Sequence, residues 1–349
     1  MTGGNVLAAM KIVIVTDAWF PQVNGVVRTL KTVGEQVERM GHRVVFITPD
    51  MFRTIPCPTY PEIRLCINAG ARLSALITAE APDAIHIATE GPLGIAARKW
   101  CLKRDFPFTT AFHTRFPEYV HARFRIPVDW SWAVLRWFHG PSKGIMVATP
   151  KLQRELEGRG LPNTKMWTRG VDLGLFRPQR KSLFADLDEP VFMFVGRVAI
   201  EKNIEAFLGL DLPGTKIVVG DGPQRSQLEA RYPDTVFAGE QHGEALAAHF
   251  AAADVFVFPS LTDTFGLVLL EAMACGVPVA AFPVPGPADV VTDPRAGVLD
   301  NDLAAAARKA LTLSRADARE HASGYSWENC ARIFLGNLHP VARDARLAA

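Results

Sequence analysis

A continuous run of branched and apolar residues, KIVIVTD at 11–17, constrains this chain more than any other feature. A strand solvated on one face alternates apolar with polar residues. An unbroken run fits a parallel strand buried on both faces. Parallel strands need long crossovers, and a helical stretch over 26–40 follows. The pattern repeats in GHRVVFITPD (41–50), DAIHIAT (83–89), FTTAFHT (108–114) and GIMVATP (144–150). It restarts after the polar segment QRKSLFADLDE (179–189). The second series is PVFMFVGR (190–197), TKIVVGDG (215–222), TVFAG (235–239), DVFVFPS (254–260) and VPVAAF (277–282). The alternation predicts two α/β domains, 1–178 and 190–325, each a doubly wound parallel sheet. A final helix, beginning SWENCARIF, is expected over 326–345. Ligands of such sheets bind outside the strand carboxyl ends, here expected in the cleft between domains.

Composition narrows the classes. An apolar fraction of 48% with 21% charged residues is that of a globular protein. Five cysteines (57, 66, 101, 275, 330) form no Cys-x-x-Cys pair and no metal-ligand spacing, which fits a reducing cytosol. No apolar stretch reaches spanning length. The opening MTGGNVLAAMK is not a signal peptide by composition, and Met10 is an alternative start to Met1. The net charge of +2 hides an asymmetry: residues 1–178 carry a net +9 and residues 179–349 a net −7. Either two separately soluble domains drifted apart in charge, or the basic half faces an anionic surface.

The chemistry concentrates in DTFGLVLLEAMACG (263–276). Glu271 sits in an apolar helical stretch, and a buried carboxylate needs a partner. Thr262, Asp263 and Thr264 have capping character, so a helix N-terminus is expected at 263–266, with N–H groups suited to phosphate. At about 100° per residue, Glu271 returns to within about 80° of the face of Asp263. On spacing alone, Asp263 as a helix cap and Glu271 as half of a buried ion pair stay open. Arg197 and Lys202, in GRVAIEKN (196–203), end a strand and suit an anionic diphosphate, though a surface pair with Glu201 is also consistent. Asp221 and Gly222 lie in the turn GDGP, which is not a dinucleotide fingerprint. Gly25 and His113 end strands of the first series, as a turn glycine and a structural histidine or as site residues.

The order of these segments resembles the family-four retaining glycosyltransferases of the GT-B fold. The match rests on PQVNGVVRTL, FHTRFPEYV, RGVDLGLFRP, GRVAIEKN, VVGDGP and PSLTDTFGLVLLEAMACGVPVAA. The last contains the family's paired acids, with seven residues between them, and has Asp263 where the common form has Glu. The resemblance implies two Rossmann-like domains and a nucleotide-sugar donor, with no cofactor and no metal. By position, Arg197 and Lys202 bind the donor diphosphate. The N–H groups of Thr264, Phe265, Gly266 and Leu267 meet the distal phosphate and sugar. Asp263 holds sugar hydroxyls, Glu271 accepts from the ribose, and Asp221 and Gly222 line the donor site. Gly25 lines the phosphate side, and His113 touches the transferred sugar. The last helix, 326–349, is expected to pack back on the first domain.

Within the family the chain looks closest to glycolipid-making members. Trp130 and Trp132, with Arg115 and Arg123 nearby, suit a membrane interface, although these tryptophans also suit a core. The first expectation is a cytoplasmic enzyme held on the inner face of the membrane, moving a sugar from a UDP-sugar to diacylglycerol. The alternative is a GDP-mannose-dependent α-mannosyltransferase on a lipid or saccharide acceptor. A nucleotide-sugar epimerase and a non-catalytic nucleotide-binding module are further options. Nucleic acid is not an expected partner.

Overall fold

The computed structural model describes residues 9–22, 24–57, 60–113, 125, 127–181, 183–263 and 265–341, with backbone alone at 60–62. Along the chain the strands are β1 (Lys11–Val15), β2 (Arg43–Ile47), β3 (Thr54–Cys57), β4 (Tyr60–Cys66), β5 (Ala84–Ile87), β6 (Phe108–Ala111), β7 (Gly144–Val147) and β8 (Thr164–Met166). They continue with β9 (Val191–Val195), β10 (Thr215–Val219), β11 (Val236–Gly239), β12 (Val255–Phe258), β13 (Val279–Ala281) and β14 (Gly297–Leu299). Two six-stranded parallel sheets result, ordered β2-β1-β5-β6-β7-β8 and β11-β10-β9-β12-β13-β14. This is the doubly wound α/β architecture that the alternation predicts.

The run that opened the sequence reading is the centre of its sheet. Ile12 to Val15 are wholly buried, and β1 bonds to β2 on one edge and β5 on the other. β9 occupies the same place in the second sheet, between β10 and β12. Burying each such side chain contributes about 1.5–3 kcal/mol. The chain leaves each central strand toward one edge and later returns on the other side. The connections that follow β1 and β5, and β9 and β12, therefore run to opposite sides of the sheet, and such switch points are where these sheets take ligands.

The helix after β1, Gly25–Arg39, starts where the Asn24 side chain accepts from the N–H groups of Val26 and Val27, both at 3.0 Å. Asp17, just past β1, serves the helix Pro92–Lys103. Its buried carboxylate accepts from Leu93 N at 2.8 Å, Gly94 N at 3.1 Å and the Thr89 hydroxyl at 3.0 Å. Burial pushes its carboxyl up, and the amide bonds oppose that shift. Four strands escaped the sequence reading. β8 and β14 have only three residues each, and β3 and β4 form a separate antiparallel hairpin carrying prolines.

The chain divides into two compact units, Met1–Thr168 with Trp327–Ala349, and Arg169–Ser326. The dividing point differs from the expected linker at 179–189. Residues near 170–178 belong to the second unit: Phe176 is buried edge-on to Phe250, and Arg319 donates to the carbonyls of Phe176 (2.6 Å) and Leu173 (3.1 Å). The last helix, Trp327–Asn337, is part of the first unit. Its Cys330, Ala331, Phe334 and Leu335 join Ile12, Leu30 and Val33 in one core, and Asn337 Nδ2 donates to Met166 O at 2.8 Å. Phe334→Ala is expected to lower stability by about 3–5 kcal/mol. Urea unfolding measures this, and a loss below about 1 kcal/mol would mean the helix is not part of that core.

Candidate active site

In the second unit, loops follow the carboxyl ends of β9, β10 and β12. The first two lie backbone against backbone. Gly196 N donates to Val219 O at 3.0 Å, Val198 N to Asp221 O at 2.9 Å and Gln224 N to Val198 O at 3.1 Å. Glycine makes this approach possible. At Gly220 (φ +147°) an added Cβ would lie 1.9 Å from the carbonyl oxygen of Gly196, and at Gly222 (φ +156°) 2.4 Å from that of Val198. The GDGP turn thus fixes the path of the Arg197 loop. Asp221 itself is exposed and pairs with Arg225 at 3.2 Å, so both it and Gly222 have structural tasks.

The β9 loop is next tied to the β12 loop. Asn203, in a left-handed conformation (φ +53°), donates from Nδ2 to Pro259 O at 3.0 Å, and the Thr262 hydroxyl donates to Glu201 O at 3.4 Å. Lys202 Nζ meets Asp263 Oδ1 at 2.6 Å, both side chains being mostly buried. On the far side Gly286 (φ +91°) presses on the same loop, its missing Cβ only 2.5 Å from Asp263 O. Asp263 is therefore held from two sides. Its second oxygen, Oδ2, and the hydroxyl of wholly buried Ser260 have no hydrogen-bond partner among the described residues. Leaving such an atom unpaired costs about 1–3 kcal/mol, which a hydroxyl-bearing ligand would offset.

Helix formation begins later than the sequence implies. The helix is Leu267–Ala274, preceded by Gly266 in a left-handed conformation with no side-chain cap. Asp263 is not a helix cap, because Lys202 engages it three residues earlier. The shared-face argument for Asp263 and Glu271 therefore does not apply. Glu271 lies on the second turn, only 3% exposed, while Phe265 is buried edge-on to Tyr325. The N–H groups of the first turn, at Leu267, point along the axis toward the loop and favour negative charge there. Arg319 secures the other end by donating to Ala274 O at 2.6 Å.

The remaining expected residues lie in the first unit. Gly25 is exposed at the start of its helix, and His113 follows β6 with its ring edge-on to Trp167. Thr264, Arg115 and Arg123 lie outside the described residues. Trp130 and Trp132 point oppositely on the helix Val128–His139. Trp130 is 71% exposed, whereas Trp132 is 1% exposed, stacked on Phe112 with Arg159 over its ring. Trp132 is thus a core residue and leaves the membrane-facing set. Its position two residues on from Trp130 turns it about 200° around the helix. The sequence reading passed over Asn203, Ser260 and Gly286. The available signals were an asparagine closing a short loop and a glycine between two prolines.

Two family descriptions match this chain: "Glycosyltransferase Family 4" over residues 23–175 and "Glycosyl transferases group 1" over residues 189–316. A GDP-mannose-dependent alpha-mannosyltransferase of Mycolicibacterium smegmatis is 30% identical over 316 residues, 83% of this chain and 84% of that one. An alpha-monoglucosyldiacylglycerol synthase of Streptococcus pneumoniae is 27% identical over 386 residues, 96% of this chain and 86% of that one. The structure of a sucrose-phosphate synthase from Thermosynechococcus elongatus superposes with a TM-score of 0.75 at 23% identity, covering 97% of this chain and 100% of that one.

The glycine contacts generate a paired expectation. Gly220→Ala forces a Cβ into backbone and should cost at least about 1–3 kcal/mol. Gly336→Ala, helical with nothing within 4 Å of the new Cβ, should gain about 0.5–1 kcal/mol. Chemical denaturation of both variants checks this. Equal stabilities would show that the two loops are not packed backbone to backbone.

Proposed function

The chain belongs to glycosyltransferase family 4, a family of retaining enzymes, and from that premise we propose that it moves a mannosyl group from GDP-mannose to a lipid-borne hydroxyl. The observation that carries the donor assignment is the 30% identity to the mannosyltransferase over most of both chains. The resemblance read from the sequence puts a UDP-sugar and diacylglycerol first. This likeness moves GDP-mannose ahead, and the likeness to the diacylglycerol-glycosylating relative keeps a lipid acceptor in view.

In this reading the second unit holds the donor. Arg197 and Lys202 face the diphosphate, and the N-terminus of the helix Leu267–Ala274 faces the distal phosphate. Asp263 accepts a sugar hydroxyl at Oδ2, the atom that finds no protein partner among the described residues. Glu271 accepts from the ribose. When the bond from the anomeric carbon to the diphosphate breaks, negative charge collects on the departing phosphate. Lys202, already oriented by Asp263, is placed to stabilise it. The acceptor oxygen bonds to the anomeric carbon on the same face, and its proton passes to the leaving phosphate. We assign the charge neutralisation to these side chains, without a metal.

A membrane surface is the proposed location of the acceptor. No helix among the described residues is long and apolar enough to cross a bilayer. Trp130, Val134 and Trp137 recur at i, i+4 and i+7 and are all exposed, so one face of the helix Val128–His139 offers apolar groups outward. Residues 1–178, which include it, carry the net +9. Aromatic side chains within a basic surface support peripheral binding to anionic lipid.

The test is mass spectrometry of lipid products formed with GDP-mannose, UDP-glucose, UDP-galactose or UDP-glucuronate and diacylglycerol-containing anionic liposomes. A mannosyl lipid from GDP-mannose is expected, and product from a UDP-sugar alone would overturn the donor assignment. Lys202→Ala should lower turnover by about 10²–10³-fold, and wild-type turnover would remove Lys202 from the site. Raised salt should release the protein from the liposomes.

A further inference from the structure

Lys202 and Asp263 come from different loops, and the ladder between the strands beneath them does not reach that far. β9 and β12 pair at Phe192 with Val255 and at Met193 with Phe256, and the pairing stops before either strand ends. Beyond it, Asn203 Nδ2 donates to Pro259 O at 3.0 Å, and the Thr262 hydroxyl donates to Glu201 O at 3.4 Å. The Asn203 bond is the shorter of the two, and its residue adjoins Lys202 in the chain.

Asn203 meets two demands at once. It closes the short turn Ile200–Lys202, donating its own N–H to Ile200 O at 3.0 Å with φ +53° and ψ +37°. That left-handed conformation suits glycine and asparagine and strains most other residues. Glycine would satisfy the backbone alone. Asparagine adds an amide, and here the amide crosses to the β12 loop. The core holds the same residue from the chain side. Ile204, which follows it, is 1% exposed, and Ala206 N donates to Asn203 O at 3.1 Å.

We propose that Asn203 is a positioning residue for the transfer: its amide holds Lys202 against Asp263 and so sets where the ammonium meets the donor diphosphate. Lysine is a point charge on a flexible stem, so its location depends on where its Cα and its partner are held. Lys202 Nζ stands 2.6 Å from Asp263 Oδ1, with 23% and 18% of the two side chains exposed. A displacement of about 1 Å at such a site costs up to about 10²-fold in rate. Two plainer roles compete with this one. If Asn203 serves only the left-handed turn, glycine replaces it without loss. If it serves only the stability of the loop, its removal acts equally whether Lys202 is present or not.

The proposal rests on the transferase reading in one respect: the group that Lys202 meets is taken as the donor's diphosphate. The placing of Lys202 by Asn203 is independent of it.

Two measurements on the full chain keep these apart. Proton–nitrogen NMR of the lysine ammonium groups, without nucleotide, reads the ammonium bonded to Asp263, assigned by its absence in Lys202→Ala. Asn203→Gly keeps the turn. Asn203→Asp keeps the size and tolerates the turn, but its carboxylate donates nothing to Pro259. Circular dichroism verifies that both are folded. In Asn203→Gly the Lys202 signal should move to the position of the exposed lysines, and an unmoved signal would overturn the proposal.

Calorimetry then gives the affinities for GDP and UDP. The nucleotide that native protein binds more tightly should bind about tenfold more weakly to Asn203→Gly. Asn203→Asp should lose at least as much, because its carboxylate competes with Asp263 for Lys202. In the Lys202→Ala background, Asn203→Gly should weaken binding no further. Native affinity in either single variant, or an equal loss with and without Lys202, overturns the proposal. Turnover of Asn203→Gly should fall by about 10–100-fold with acceptor KM unchanged. If neither nucleotide binds native protein while the Lys202 signal still moves in Asn203→Gly, the donor reading fails and Asn203 remains the residue that places Lys202.

Discussion

Each sheet depends on a central strand that is hydrogen-bonded along both edges and buried on both faces. For β1 and β9 this environment leaves no position for a polar side chain, so every residue between Ile12 and Val15, and between Val191 and Val195, is apolar. The same constraint forces the chain to exit at the strand ends. With neighbours recruited first on one side and then on the other, the connections leave the carboxyl ends in opposite directions. Loops gather at that point, and polar residues that the sheet excludes collect there.

In the second unit those loops are joined directly to one another. Backbone contact through Gly220 and Gly222, the Asn203 bond to Pro259 and the Lys202–Asp263 pair bind the β9, β10 and β12 loops into one rigid wall. The ion pair contributes less to stability than its short distance implies, since both charges lose water to form it. Its larger consequence is orientation. Lys202 engages one oxygen of Asp263, and the other oxygen remains buried and polar, which is the pattern of a residue prepared for a ligand.

The first unit divides its aromatic residues between packing and surface. Trp132 stacks into the core while Trp130 and Trp137, on the same helix, face outward. Trp19, Phe20 and Phe52 line a cavity built by a hairpin outside the sheet. One residue type thus serves a core, a surface and a cavity within one unit, and only helical phase and loop path distinguish the cases.

The sheet strands were legible because a strand buried on both faces must be written in branched and apolar residues, whatever surrounds it. The paired acids, the Arg197–Lys202 segment and the asymmetry of charge were legible for a similar reason: ionisable side chains at strand ends stand out against the apolar runs. Other features were decided by tertiary structure. The unit boundary near 168, rather than at the polar linker, follows from where Phe176 and Phe334 are buried. Asp263 became half of an ion pair instead of a helix cap because Asn203 brings Lys202 across from another loop. Trp132 went inward because of its phase against the sheet. The first two outcomes depend on residues far along the chain, 143 positions for Arg319 and Phe176 and 61 for Lys202 and Asp263, and no local pattern carries them. The amino-acid sequence determined the α/β class, the central strands and the candidate site residues; three-dimensional packing decided which of them meet, because contact is set by the path of the backbone and not by spacing along it.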